Sequence, residues 1–277
     1  MFKILSKKRL NENTCEYEIL APLAAKKCKA GQFIILRVDE DGERVPFTVA
    51  GFDREKGSVD IIVQTVGEAT YLLSQKEAGD YIADFVGPLG NATDLGEFNN
   101  IILVGGGIGS AVILPQAREL KNQGKKVTIV LGARNKELII HENDFKEYSD
   151  ELIIMTDDGS YGEKGFVTQA VEKLLSRGGY DCVFAVGPLK MMKATCLVAK
   201  NFGVRSVVSM NSIMVDGTGM CGGCRITVGG KTKYACVDGP EFYGDEVDFD
   251  EAVNRSGIYR ETEAEHYCKI RGEKKNG

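Results

Sequence analysis

Histidine is nearly missing from this chain: His141 and His266 are the only two among 277 residues. That leaves little room for imidazole acid–base chemistry. It also argues against a Cys/His zinc site, because neither histidine lies near the cysteine-rich stretch. Long apolar runs are missing too. No stretch reaches the roughly 18 residues that a membrane-crossing helix requires, so no membrane span is expected. The opening MFKILSKKRLNEN lacks the apolar centre of a signal peptide, and a cytoplasmic protein is the expectation. No block of positive charge precedes the C-terminal tail and the net charge is −5, so nucleic acid is not an expected partner. What is present, 43% hydrophobic and 27% charged residues, suffices for buried cores. The length suggests about two domains.

Residues 1–96 are β-rich. Phe2–Leu5, Cys15–Leu20, Phe33–Val38, Phe47–Ala50 and Val59–Val66 are short alternating or apolar runs, punctuated at Gly31, Asp41-Gly42, Lys56-Gly57 and Gly67. They predict a small antiparallel β-barrel with one short helix at Thr70–Gln75. The period changes over residues 97–213. Strands at Asn100–Val104, Lys126–Leu131, Leu152–Thr156, Cys182–Val186 and Val204–Asn211 alternate with helices at Ala111–Asn122, Leu138–Tyr148, Thr168–Ser176 and Leu189–Phe202. That alternation predicts an α/β domain with a doubly wound parallel sheet. Residues 214–250 hold a cysteine-rich segment that returns to a hairpin, Arg225–Val228 and Lys233–Cys236 around Gly229-Gly230. Residues 251–277 read as a polar tail, either disordered or docked on a partner.

The cysteine segment is the most distinctive part. Cys221, Cys224 and Cys236 fall close together, with Asp216 ahead of them and Gly217, Gly219, Gly222 and Gly223 around the first two. Written D-x4-C-x2-C-x11-C, the run follows the C-x4-C-x2-C…C spacing of iron–sulfur proteins, with Asp in first place. Glycines let backbone N–H groups turn toward anionic sulfides because no Cβ blocks the approach. Structural zinc is one alternative, and it wants four N or S ligands. A redox dithiol is another, and it leaves Cys236 and the glycines without a purpose. Asp216 reads as an iron ligand or as a turn residue capping the glycine loop. Cys15, Cys28, Cys182 and Cys196 read as buried thiols, and Cys268 as a bystander.

Other signals are weaker singly. Gly105-Gly106-Gly107-Ile108-Gly109-Ser110 leaves a strand and opens a helix, where N–H groups face a diphosphate. The acidic residue usual after the next strand is replaced by Gly132-Ala133-Arg134-Asn135, and Arg134 reads either as a residue at the adenosine end or as a solvated side chain. Gly187-Pro188 and Asp157-Asp158-Gly159-Ser160 end other strands at the same rim. In the N-terminal part, Pro46 within Val45-Pro46-Phe47-Thr48 predicts an edge strand or a bulge. Gly67-Glu68-Ala69-Thr70 has the form of an anion site at a helix start.

In order along the chain, P-F-T, G-x-A-T, G-G-G-I-G, G-P and the cysteine run resemble the ferredoxin–NADP reductase superfamily. Within it they are similar to the electron-transfer subunits related to that of dihydroorotate dehydrogenase. Asp216 points to the branch of small subunits of NADH-dependent ferredoxin:NADP oxidoreductases, where the first cluster ligand is Asp instead of Cys. The resemblance implies FAD in the barrel, contacted by Pro46, Phe47, Thr48, Ile62, Val63, Gln64, Gly67, Ala69 and Thr70. It implies NAD(H) at a rim of Gly106, Gly107, Gly109, Asp157, Gly187 and Pro188, and a [2Fe–2S] cluster on Asp216, Cys221, Cys224 and Cys236. The superfamily often has Arg three residues before the hydroxyl. Val45 stands there, with Arg44 one position earlier.

The function so implied is that of an oxidoreductase subunit with no catalytic side chain of its own. It would exchange hydride with NAD(H) at FAD and pass single electrons through the cluster to a larger flavin/iron–sulfur subunit in a heterodimer. That complex couples NADP(H) and ferredoxin by electron bifurcation. Two other functions stay open: an electron-transfer subunit of dihydroorotate dehydrogenase, and a non-enzymatic iron–sulfur carrier or scaffold.

Overall fold

Period-two alternation in the first third of the chain gives each strand one face to bury. In the computed structural model, which describes residues 1–270, the strands are β1 (Phe2–Asn11), β2 (Thr14–Leu20), β3 (Phe33–Arg37), β4 (Arg44–Thr48), β5 (Gly51–Asp53), β6 (Ser58–Gln64), β7 (Tyr81–Ile82) and β8 (Asp84–Leu89). Helices α1 (Pro22–Ala25) and α2 (Glu68–Ser74) lie between them. The strands form two antiparallel sheets, ordered β5-β6-β2-β1-β7 and β4-β3-β8. Ile4, Tyr17, Ile19 and Ile61 from the first sheet meet Ile34, Leu36 and Phe85 from the second in one core. The Tyr17 hydroxyl donates to the Leu73 carbonyl at 3.1 Å and so pins α2 to this core.

The α/β part follows the predicted alternation. It comprises β9 (Asn100–Gly106), α3 (Gly109–Asn122), β10 (Lys126–Ala133), α4 (Glu142–Glu147), β11 (Glu151–Thr156), β12 (Glu163–Lys164), α5 (Val167–Leu175), β13 (Cys182–Val186), α6 (Leu189–Asn201) and β14 (Arg205–Ser209). Ile101, Ile102, Leu103 and Val104 are completely buried, as a central parallel strand covered on both faces must be. The helix expected over Leu138–Tyr148 is shorter: a 3₁₀ turn spans Lys136–Leu138 and α4 begins at Glu142. Between them His141 sits in the left-handed region at φ 55°, which a continuous helix excludes.

The cysteine segment ends in β15 (Arg225–Val228) and β16 (Lys231–Tyr234). Gly229 and Gly230, at φ 56° and 72°, make a two-residue turn with both residues left-handed, so β16 starts two residues earlier than expected. A strand not foreseen, β17 (Glu241–Tyr243), pairs antiparallel with β14 and extends the sheet to β12-β11-β10-β9-β13-β14-β17. Three residues are too few to show a period. The tail, for which the sequence leaves disorder and docking on a partner both open, carries two helices up to residue 270: α7 (Phe249–Ser256), capped by the Asp248 carboxylate accepting the Glu251 N–H at 2.9 Å, is followed by α8 (Arg260–Ile270). Tail residues 271–277 lie outside the described residues. Among the described residues no helix is long and apolar enough to cross a membrane.

Candidate functional site

Strand order reverses beside β9: β10 lies on one side of it and β13 on the other. In open α/β sheets the crevice at such a reversal is where ligands sit, outside the carboxyl ends of the strands. Here the two turns that border it touch. A methyl on Gly109 would lie 2.4 Å from the Val186 carbonyl oxygen, and one on Gly106 would lie 2.3 Å from Met191 Sδ. Gly187, at φ 154°, faces the Gly106 carbonyl. Gly107 differs: at φ 57° it turns into open space. Pro188 caps α6. Gly106, Gly107, Gly109, Gly187 and Pro188 therefore gather at one crevice, and Asp157 is exposed on the same rim at the end of β11. The Arg134 side chain is exposed, and its carbonyl accepts the Asp158 N–H at 3.2 Å.

The flavin candidates line a different surface. Pro46, Phe47 and Thr48 are half-buried on β4, the edge of the three-stranded sheet. Pro46 pairs with Ile35 in an unbroken register, so it marks an edge and not a bulge. The register shift of that sheet lies instead between Phe33 and Ile35, on the β8 side. On β6 the pleat divides the three candidates: the Val63 side chain belongs to the sheet core, Ile62 packs with Ala50, Ala111 and Ile140 toward the α/β part, and Gln64 is half-buried. Gly67 has open space where a Cβ would stand. Ala69 is buried, and the Thr70 hydroxyl is already committed, accepting the Val66 and Gly67 N–H groups at 3.0 Å and donating to the Gly67 carbonyl at 2.9 Å. Thr70 thus shapes the turn, and main-chain groups are left to face a ligand.

The cysteine loop lies against the three-stranded sheet. Cys224 and Cys236 are buried with their sulfurs 3.2 Å apart, whereas Cys221 is exposed. Backbone N–H groups of Gly223, Asp216 and Val215 point at Cys221 and hold its thiol below the ordinary value. Burial, with Cys224 beside it, pushes the Cys236 thiol up to about 12. Asp216 Oδ2 accepts the Thr218 N–H at 2.9 Å, the Met220 N–H at 3.3 Å and the Thr218 hydroxyl, which lowers its carboxyl further. No three of these four donors converge within 4.8 Å, the spacing of a single ion; among the described residues only Glu43, Glu68 and His266 do. The donors instead fall into two neighbourhoods, Cys224 with Cys236 and Cys221 with Asp216. That pairing, with inward N–H groups, fits a two-iron cluster better than a tetrahedral zinc ion.

Two contacts here escaped the sequence. The Arg44 guanidinium donates to the Val215 carbonyl at 2.9 Å, tying β4 to the cysteine loop across a separation no local pattern announces. Glu241 on β17 is half-buried as a residue. Its carboxyl, however, is enclosed by the Thr93 hydroxyl at 2.6 Å and Gln116 Nε2 at 3.5 Å, and desolvation pushes it up to about 7.

Three family models match the chain in sequence: an oxidoreductase FAD-binding domain over residues 1–93, an oxidoreductase NAD-binding domain over 103–197, and the iron–sulfur cluster binding domain of dihydroorotate dehydrogenase B over 211–248. A Thermotoga maritima protein named as a homolog of the dihydroorotate dehydrogenase B (NAD(+)) electron transfer subunit is 48% identical over 274 residues, covering 98% of this chain and 97% of its own. The electron transfer subunit of that enzyme from Caldanaerobacter subterraneus subsp. tengcongensis is 34% identical, covering 89% of this chain and 97% of its own. A chain in the structure of the NADH-dependent reduced ferredoxin-NADP oxidoreductase, solved for insight into flavin-based electron bifurcation, is 47% identical and superposes with a TM-score of 0.92 over 98% of both chains.

Proposed function

The chain belongs to the family of dihydroorotate dehydrogenase B electron-transfer subunits, and from that premise we propose that it is the small subunit of a complex of the NADH-dependent ferredoxin:NADP oxidoreductase kind. Bound FAD supplies a two-electron hydride acceptor, and a [2Fe–2S] cluster supplies a one-electron carrier. The chain's own residues orient them. Gly106, Gly107, Gly109, Asp157, Gly187 and Pro188 hold NAD(H) at the sheet crevice. Pro46, Phe47 and Thr48, main-chain groups of Ile62, Val63 and Gln64, and the Gly67–Thr70 turn hold FAD. Asp216, Cys221, Cys224 and Cys236 hold the cluster. Residues 1–96, 97–213, 214–250 and 251–277 are the corresponding flavin, nucleotide, cluster and tail segments. A larger flavin/iron–sulfur subunit receives or delivers the single electrons and deals with NADP(H) and ferredoxin. The heterodimer works in the cytoplasm.

One observation carries this reading. Gly217, at φ 82°, brings the cysteine loop so close to the flavin sheet that a methyl on it would lie 2.6 Å from Ile35 Cδ1 and 2.7 Å from Leu89 Cδ1. Loop and sheet meet with no side chain of the loop between them, and Arg44 ties them from the other end. Short separation is what a relay between two redox groups needs.

The test is anaerobic purification of the chain with its natural partner, followed by cofactor counts and titration with NADH. Equimolar FAD, iron matched by sulfide, and bleaching of both chromophores by NADH are expected; material with neither FAD nor sulfide would refute the reading. The identity of the partner separates it from a dihydroorotate dehydrogenase, whose partner would oxidise dihydroorotate. Asp216→Ala should alter the EPR signal of the cluster, and an unchanged signal would leave Asp216 as a turn residue.

A further inference from the structure

Two arginines grip the outside of the cysteine loop. Arg225 donates to the Gly222 carbonyl through Nη1 and through its own backbone N–H, both at 3.3 Å. Arg255 comes from α7, outside the cysteine segment, and its Nη2 donates to the next carbonyl, that of Gly223, at 3.2 Å. Building on the iron–sulfur reading above, we propose that Arg225 and Arg255 are positioning residues that aim the peptides of the Cys221–Cys224 loop at the cluster and raise its reduction potential.

The argument starts from peptide planarity. Both peptides are trans, so in each the N–H points opposite to the C=O. A guanidinium holding the Gly222 oxygen therefore fixes the Gly223 N–H on the other side, and that N–H does point at Cys221 Sγ, at 3.4 Å. Arg255 on the Gly223 oxygen fixes the Cys224 N–H away from itself in the same manner. Glycine at Gly222 and Gly223 offers little resistance to peptide rotation, so these orientations need an external hold. Each guanidinium is a charged donor that stays protonated and binds a carbonyl more firmly than a neutral donor.

Charge acts in the same direction as the dipoles. Both arginines line a cavity of about 250 Å³ that opens beside Cys221, between α6, the loop and α7, and no acidic side chain contributes to its wall. Neither forms an ion pair among the described residues. No carboxylate is therefore bound directly to either guanidinium. A cluster that gains one electron becomes more negative, so inward N–H dipoles and nearby positive charge both favour the reduced form.

The experiment is an EPR-monitored potentiometric titration of the intact complex carrying Arg255→Gln, Arg255→Lys or Arg225→Gln, with iron and sulfide counted in each. At the wild-type midpoint, Arg255→Gln should lower the reduced-to-oxidised ratio about tenfold, which for one electron is a shift of about 59 mV to lower potential. Arg225→Gln should move it in the same direction, and Arg255→Lys, which keeps the charge and loses the fork, should shift it less. Unchanged midpoints in Arg255→Gln and Arg225→Gln with full iron content would overturn the proposal. Should Arg255→Gln lose its cluster, Arg225→Gln decides alone, because Arg225 is exposed and its replacement leaves the fold intact. A wild-type complex without any cluster signal would defeat the underlying reading instead.

Discussion

Two glycine-rich turns border the proposed sites in this protein, and they use glycine for different reasons. In the turn from β9 to α3, Gly106 and Gly109 are jammed against Met191 and the Val186 carbonyl, so what matters is the missing methyl. In the cysteine loop, Gly217, Gly219 and Gly222 stand at φ 82°, 87° and 67°, so the left-handed backbone matters at all three, and the missing methyl matters as well where Gly217 meets Ile35 and Leu89. The first turn is a packing device that lets two strand ends close on a crevice. The second is a conformational device that points peptide N–H groups at sulfur. Glycine density in a sequence does not separate the two; only the neighbours and dihedral angles do.

Substitution should break the comparison in a graded way. Gly109→Ala has the largest expected effect, since a backbone carbonyl cannot yield as a side-chain end can. A stability loss of roughly 3 kcal/mol, with loss of NADH binding and retention of FAD, should appear in thermal unfolding and equilibrium titration. Gly217→Ala comes next. Its left-handed angle costs about 1–2 kcal/mol, while the side-chain ends of Ile35 and Leu89 can move aside. Iron and sulfide should fall in purified material while FAD stays, and a full iron complement would mean that the close approach is not needed.

The third expectation concerns β17, where the two regions are joined. The Glu241 carboxyl titrates near 7 when folded, against 4.5 as its unperturbed value. Between those values the folded state binds the extra proton, so stability should fall as pH rises from about 4.5 through 7 and level off above. The loss is on the order of 3 kcal/mol. Glu241→Gln should remove that slope, and melting temperatures at pH 5.5 and 8 would reveal it. Gly107→Ala is the smallest effect, about 1 kcal/mol, because Gly107 shares the left-handed angle of the cysteine loop but has open space around it.

Strand–helix alternation was legible because a central strand such as Ile101–Val104 is apolar throughout and each helix keeps one buried face. The cysteine spacing was legible because ligand geometry constrains short separations. β17 was not, being three residues long and stabilised by pairing with β14. Nor were the tail helices: α7 buries only Phe249 and Ala252, with Val253 half-buried and its other positions polar. Pro46 announced an interruption without saying which kind, since an edge and a bulge satisfy its missing N–H equally.

Residue order alone determined which chemistry the chain carries: local spacing places Cys221, Cys224, Cys236 and the glycine turns, and such spacing survives whatever the rest of the chain does. Tertiary structure decided how those pieces address one another. Arg44 reaching Val215, Gly217 resting on Ile35 and Leu89, and Arg255 holding Gly223 each join residues far apart in the chain. Contacts of that kind depend on packing energies summed over whole sheets, and no short stretch of sequence records them.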